Sequence, residues 1–177
     1  MIGYSEVIQT MAAMIIFSMI LINANYMIQR NTLMQIDGEL EQEVISLGQE
    51  IIEEARSKPF DKETQGDMPP TDIPGGFTPT AAFPTVEQQE QEEGIEERRS
   101  TFEAFEDYHN WSELITTPHG DFNIGVEVYY VDEDNFERVE EQTTLKKIEV
   151  IVTSEFLRGG DEPRKYQLEF IRNYYAE

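Results

Sequence analysis

Cysteine is absent from this chain of 177 residues, and basic residues are scarce. Without a thiol the chain can form no disulfide, and it offers no thiolate as a nucleophile or a metal ligand. Thirteen Lys and Arg stand against 36 Asp and Glu, which gives a formal net charge of -23. Because a surface of this sign repels phosphate groups, we expect no nucleic acid among the partners.

Histidine is scarce as well, since His109 and His119 are the only two. A zinc site would therefore need an unusual number of carboxylates. The chain has no nucleophile elbow around a serine and no phosphate-binding glycine loop. We therefore predict no catalytic residue, no metal site, no cofactor and no enzymatic activity. An anchored hydrolase stays open only if Asp, His and Ser meet in a cleft.

Three further segments have both a plain and a functional interpretation. We interpret His109 as a loop residue rather than a metal ligand. The stretch DEDNFE at 132–137 offers oxygen ligands for calcium but lacks the glycine of an EF-hand loop, so it predicts a hairpin turn. Asn110 begins the sequon NWS and is a possible glycosylation site.

Charge is nearly missing from the first 35 residues, which contain only Glu6 and Arg30 as charged side chains. The residues between these two include no Gly or Pro and would span roughly 35 Å as a helix, enough to cross a bilayer core. A signal peptide would need a basic start and a small-residue cleavage site, and neither is present. A plain membrane anchor and a more specialised segment remain the main alternatives.

No helix breaker separates this run from the next 27 residues, and Pro59 is the first to stop it. We predict one helix of about 50 residues within a region 1–58, with 1–30 as a membrane or filament-core segment. The residues expected to form the core surface are Val7, Met11, Met14, Ile15, Phe17, Ile20 and Leu21. An amphipathic stripe expected to pack on a sheet comprises Leu33, Ile36, Leu40, Val44, Leu47 and Ile51.

The rest of the chain divides into two regions. Residues 59–100 are rich in proline, glycine and acidic residues, which predicts a loop draped over the surface with a polar tail that is mobile or weakly helical. Residues 101–177 contain the sheet, because three of their segments alternate apolar and polar residues. The fold class is therefore α+β: a long N-terminal helix on a small antiparallel head.

Three stretches resemble type IV pilins and the pseudopilins of type II secretion. SLGQEIIEEARSKPFD at 46–61 is similar to the end of the N-terminal helix in minor pilin-like proteins. RRSTFEAFEDYHNW at 98–111 and TTLKKIEVIVT at 143–153 resemble later segments of the same proteins, in the same order. With residues 4–30, the resemblance covers most of the chain.

The resemblance implies a subunit of a type IV pilus-like filament with a role in adhesion or motility. Such a subunit is held in the inner membrane as a precursor, processed by a prepilin peptidase and moved into an extracellular pilus. Its partners would be copies of itself and other pilins. A secretion pseudopilin or a membrane-anchored accessory protein is the alternative.

The start of the chain departs from the family pattern, which places Glu at the fifth mature position after a basic leader. Counted from Met1, Glu6 is one place late; if cleavage follows Gly3, it is third. We predict that Glu6 pairs with the free amino group of a neighbouring subunit and sets the assembly register. At the headgroup boundary of a lone membrane helix, the same carboxylate would have no such role.

Overall fold

The structure is a computed structural model that describes residues 3–66, 70–90, 99–159 and 162–176. Helix α1 spans Tyr4–Ser57 and a short helix α2 spans Val86–Glu90. Five strands follow: β1 at Ser112–Thr117, β2 at Gly120–Val131, β3 at Arg138–Val139, β4 at Leu145–Gly159 and β5 at Glu162–Asn173. One long helix and one antiparallel sheet confirm the predicted α+β fold.

Helix α1 is continuous over 54 residues, as the unbroken sequence pattern predicts. It ends at Ser57 because Pro59 lacks a backbone N–H and disfavours helical geometry at Lys58. The last turn closes with a bond from the Lys58 N–H to the Ala55 carbonyl, 3.2 Å long. The two glycines within the helix, Gly38 and Gly48, do not interrupt it.

The strands form one antiparallel sheet in the order β1-β2-β4-β5, and β3 pairs with β2. Three of the five strands match the predicted alternating segments. The additional strands lack that signal: β1 exposes Leu114 by 61%, and β3 has only two residues. The predicted turn at 132–137 is confirmed, with Asp132 Oδ1 accepting bonds from the N–H groups of Asp134 and Asn135.

One face of the sheet is buried, as the alternation predicts. The inward residues of β2 and β4 are at most 2% exposed: Phe122, Ile124, Val126, Val128, Tyr130, Ile148, Val150 and Val152. On the edge strand β5, Tyr166, Leu168 and Phe170 are half-buried. An edge strand has a neighbour on one side only, which leaves its inward side chains less covered. Strands β4 and β5 pair up to Gly159 and Glu162, and residues 160 and 161 lie outside the described residues.

The chain forms two compact units: residues 1–41, here called the helix unit, and residues 42–177, here called the head unit. Within the head unit, the last turns of α1 pack closely on β5. Val44 and Ile51 are at most 1% exposed, and Gly48 lies so close to Leu168 that a Cβ there would approach Leu168 Cδ1 to 2.9 Å. Arg56 adds a cation–π contact with the Phe170 ring at 4.8 Å.

The predicted stripe is only partly buried. Leu40 is buried together with Val44 and Ile51, and Leu47 is half-buried. Leu33 and Ile36, in the helix unit, are 62% and 46% exposed, and their packing on the sheet stays a prediction. The helical period identifies which face of a helix is apolar, but it does not determine how far along the helix that face is covered.

The prediction of a surface loop for residues 59–100 did not include buried aromatic residues. Phe60, Phe77 and Phe83 are at most 5% exposed, and the Phe60 and Phe77 rings lie 5.2 Å apart. The spacing of these three Phe residues follows no helical or strand period. The proline and glycine content of the segment therefore predicts a loop and does not indicate that the rings are buried. Helix α2 forms the start of the acidic tail. Residues 67–69 and the rest of the tail, at 91–98, lie outside the described residues.

Candidate functional site: the apolar surface of helix α1

The apolar side chains of the helix unit are left uncovered. The predicted core residues Val7, Met11, Met14, Ile15, Phe17, Ile20 and Leu21 are all between 46% and 71% exposed. Residues 3–39 are exposed without exception, on every side of the helix. Contiguous apolar surface of this extent marks a protein or membrane interaction site in soluble proteins.

By length and composition, α1 can cross a membrane, and it is the one helix in the described part of the chain that can. Two hydroxyl groups of its apolar part suit apolar surroundings because they bond to the preceding helical turn. Thr10 Oγ1 lies 2.9 Å from the Val7 carbonyl oxygen, and Ser18 Oγ lies 2.8 Å from that of Met14. Such bonds reduce the cost of placing a hydroxyl where no water is available.

Glu6 lies in the first turn of α1 and caps it. The backbone N–H of Glu6 donates to the Gly3 carbonyl at 3.0 Å, while the Gly3 N–H donates to Glu6 Oε2 at 3.2 Å. A carboxylate at this end of a helix also interacts favourably with the helix dipole. Glu6 remains exposed, so its carboxylate is accessible to a group from another molecule.

Comparisons with protein-family models, curated proteins and solved structures find no match to this chain.

The remaining predicted candidates have local structural roles. His109 Nδ1 accepts the Val128 N–H at 3.1 Å, and burial, with the nearby Arg138 charge, lowers the pKa of this imidazole. Asn110 is half-buried, and its Nδ2, the atom that would carry a glycan, donates to the Pro84 carbonyl at 3.0 Å. His119 contacts the Glu43 carboxylate and links the β1–β2 turn to α1.

Within the described residues, no three His, Asp or Glu side chains are grouped so as to hold a metal ion. A groove at one end of β1, β2 and β4 brings Ser154 and Asp121 together, with Ser154 Oγ donating to the Asp121 carbonyl at 2.6 Å. None of the described residues that line this groove is a histidine. The triad that would support a hydrolase is therefore not assembled there.

A buried charged cluster in the head unit was not predicted from the sequence. Lys146, on β4, is fully buried, and its Nζ lies 2.6 Å from Asp61 Oδ2 and 2.9 Å from Glu106 Oε2. The Phe60 carbonyl accepts from the same Nζ at 2.9 Å. A signal was present, because Lys146 shares the inward face of β4 with Ile148, and a lysine on a buried face requires partners.

The Asp61 carboxylate is held from several directions. Its Oδ1 accepts from the Thr78 N–H at 3.1 Å, the Thr78 hydroxyl at 2.8 Å and the Glu63 N–H at 3.1 Å. Burial would raise the pKa of Asp61, but the Lys146 charge and these hydrogen bonds outweigh it and lower the pKa below its ordinary value. The cluster fixes Phe60, Asp61 and the short 3-10 helix Phe105–Tyr108 to the sheet.

Proposed function

We propose that this protein is a structural subunit of a type IV pilus-like extracellular filament, assembled by burial of the apolar surface of helix α1. The observation that carries the proposal is the contrast within one continuous helix. Val44 and Ile51 are covered by the protein's own fold, whereas Met14, Phe17 and their neighbours are exposed. Copies of the same chain, packed helix against helix, would cover that surface.

The pathway of the subunit follows from the same surface. Before assembly the helix unit lies in the inner membrane, which α1 is long and apolar enough to cross. Extraction into a filament then replaces lipid with the helices of other subunits, including other pilins. The acidic head unit faces water, where its net negative charge keeps it hydrated. Cleavage by a prepilin peptidase near Gly3 would free the amino group that pairs with Glu6.

Imaging of cell-surface filaments tests the proposal. Filaments are sheared from cells of the source organism, examined by electron microscopy and digested for peptide identification. We expect this chain in the filament or its tip fraction, and deletion of its gene should remove the filaments or shorten them. Its absence from every filament fraction would refute the proposal.

Glu6→Gln tests the assembly contact, because it removes the charge and preserves the shape. We expect the variant to insert into the membrane at the wild-type level and to yield at least tenfold less filament. Loss of a partner in a buried charge pair costs about 3 to 5 kcal/mol, more than a tenfold change requires. Gln9→Ala, three residues further along the helix, is the matched control and should assemble normally. Wild-type filament yield from Glu6→Gln would exclude this role.

The alternative, a secretion pseudopilin or anchored accessory protein, uses the same membrane-crossing helix. It predicts a different deletion phenotype: protein export is lost while surface filaments are unchanged. Mass analysis of the N-terminal peptide from native protein would add the mature start and any N-methylation.

A further inference from the structure

The buried cluster in the head unit brings an amine and a carboxylate into bonding range. Lys146 Nζ lies 2.6 Å from Asp61 Oδ2, and both side chains are completely buried. The rings of Phe60, Phe83 and Tyr130 surround Nζ at 4.7, 5.5 and 5.2 Å. Lysine is a nucleophile once its ammonium group has given up a proton, so the reaction needs a nearby proton acceptor.

We propose that Lys146 and Asp61 join in an intramolecular isopeptide bond, with Glu106 as the proton shuttle. The inference depends only on the head unit, so it stands whether or not the chain forms filaments.

Glu106 is placed to move the protons. Its Oε2 lies 2.9 Å from Lys146 Nζ, while its Oε1 accepts the Lys62 N–H at 2.8 Å, which fixes the orientation of the carboxylate. In the starting state Lys146 is an ammonium and Asp61 a carboxylate. Transfer of one proton from Nζ to Glu106 leaves a neutral amine next to Asp61 Cγ.

The surroundings of Asp61 suit attack at Cγ. The three donors on Oδ1, two from Thr78 and one from Glu63, would hold the oxyanion of a tetrahedral intermediate. Oδ2 also accepts from the Thr78 N–H and the Tyr130 hydroxyl, each at 3.1 Å, but it is the oxygen that faces Nζ, and we assign it as the leaving oxygen. By contrast, one backbone N–H donates to Glu106 Oε1, so Asp61 is the better electrophile of the two carboxylates.

The step balances without an oxidant or another reactant. The Nζ–Cγ bond forms and the Cγ–Oδ2 bond breaks. Two protons of the ammonium group leave with Oδ2 as water, passed through Glu106, and the third stays on the amide nitrogen. Glu106 ends as it began, in position to accept the new amide N–H. The bond replaces a buried ion pair with a neutral amide and releases water from a closed site.

Mass spectrometry of the full chain, purified in detergent and denatured, tests the bond. We expect the measured mass to be lower, by one water molecule, than the mass of the same chain without the isopeptide bond. Trypsin cleaves after Lys and Arg but poorly before Pro, so Asp61 falls in peptide 57–62 and Lys146 in peptide 139–147. A branched peptide joining these two is the expected product. Separate, unmodified peptides, with Lys146 open to cleavage, would overturn the proposal and leave a non-covalent ion pair.

Three variants sharpen the assignment. Glu106→Gln removes the shuttle at constant size and should show the full mass, while Asp61→Asn should form the same bond with loss of ammonia. Lys147→Arg is the matched control, since Lys147 also contacts two carboxylates, Glu149 and Glu169, but at a more exposed site. It should keep the branched peptide.

A branch to peptide 100–138 instead would make Glu106 the electrophile and refute the assignment to Asp61. If Glu106→Gln does not fold, the wild-type peptide map alone decides.

Discussion

The helix unit and the head unit use the same kinds of apolar side chain in opposite ways. Ile15 is 60% exposed in the helix unit, whereas Ile148 is fully buried in the head unit. The charged residues are distributed the other way: the first 35 residues have two charged side chains, whereas the head unit buries Lys146 together with two carboxylates, Asp61 and Glu106. The apolar residues of the helix unit are therefore left exposed, and under the proposed function copies of the same chain would cover them.

The largest expected difference in unfolding free energy is between replacing an ionisable residue in the head unit and replacing one in the helix unit. Lys146→Met leaves Asp61 and Glu106 buried without the group that both contact, which should lower the free energy of unfolding by about 3 to 5 kcal/mol. Glu6→Gln changes an exposed carboxylate and should shift it by less than about 0.5 kcal/mol. Trp111, the single tryptophan, is 2% exposed and reports unfolding of the head unit in urea by its fluorescence. Equal effects would contradict the contrast between the units.

A second comparison removes the same atoms from each unit. Ile148→Ala creates a cavity in the buried face of the sheet and should cost about 2 to 5 kcal/mol of unfolding free energy. Ile15→Ala should leave the Trp111 unfolding curve within about 0.5 kcal/mol of wild type. It should instead weaken filament yield or membrane retention. An equal shift of the unfolding curve by Ile15→Ala would show that the helix unit stabilises the head.

A third test uses pH, because both histidines lie in the head unit. The pKa of buried His109 is lowered, so the unfolded chain takes up this proton at a higher pH than the folded chain. Stability is therefore lost as pH falls below about 6.5, with a slope of at most about 1.4 kcal/mol per pH unit from this group. Urea unfolding between pH 7.5 and 5, compared with His109→Gln, measures the slope. An unchanged slope in the variant would exclude His109 as its source.

The smallest expected effect is the difference in helix stability between Gly→Ala substitutions at the two glycines of α1. Ala is about 1 kcal/mol more favourable than Gly in a helix interior. At Gly38 a Cβ would meet nothing within 4 Å, so Gly38→Ala should raise helix stability by about that amount in thermal circular dichroism. At Gly48 the new methyl would press on Leu168, which should cancel most of the gain. A full gain at Gly48 would indicate looser packing of α1 on β5.

The elements with a regular period were predictable from the sequence. The length of α1 follows from the absence of any breaker before Pro59, and the inward faces of β2 and β4 follow from alternation at Phe122 to Tyr130 and Ile148 to Val152. Strands β1 and β3 were missed because neither alternates strongly. The candidate surface of α1 was predicted residue by residue, since a run of apolar side chains needs no tertiary information to be recognised.

What the sequence determined by itself is local: where a helix can continue, which face of a strand is apolar, and where charge is missing. Only the tertiary structure decided that the stripe is left exposed at Leu33 and Ile36, and that the aromatic residues of 59–83 belong to the core. It also brought Asp61, Glu106 and Lys146 together, although 85 residues separate the first from the last. Contacts between residues so far apart depend on how the segment after α1 packs on the sheet, and no periodicity in the sequence predicts that packing.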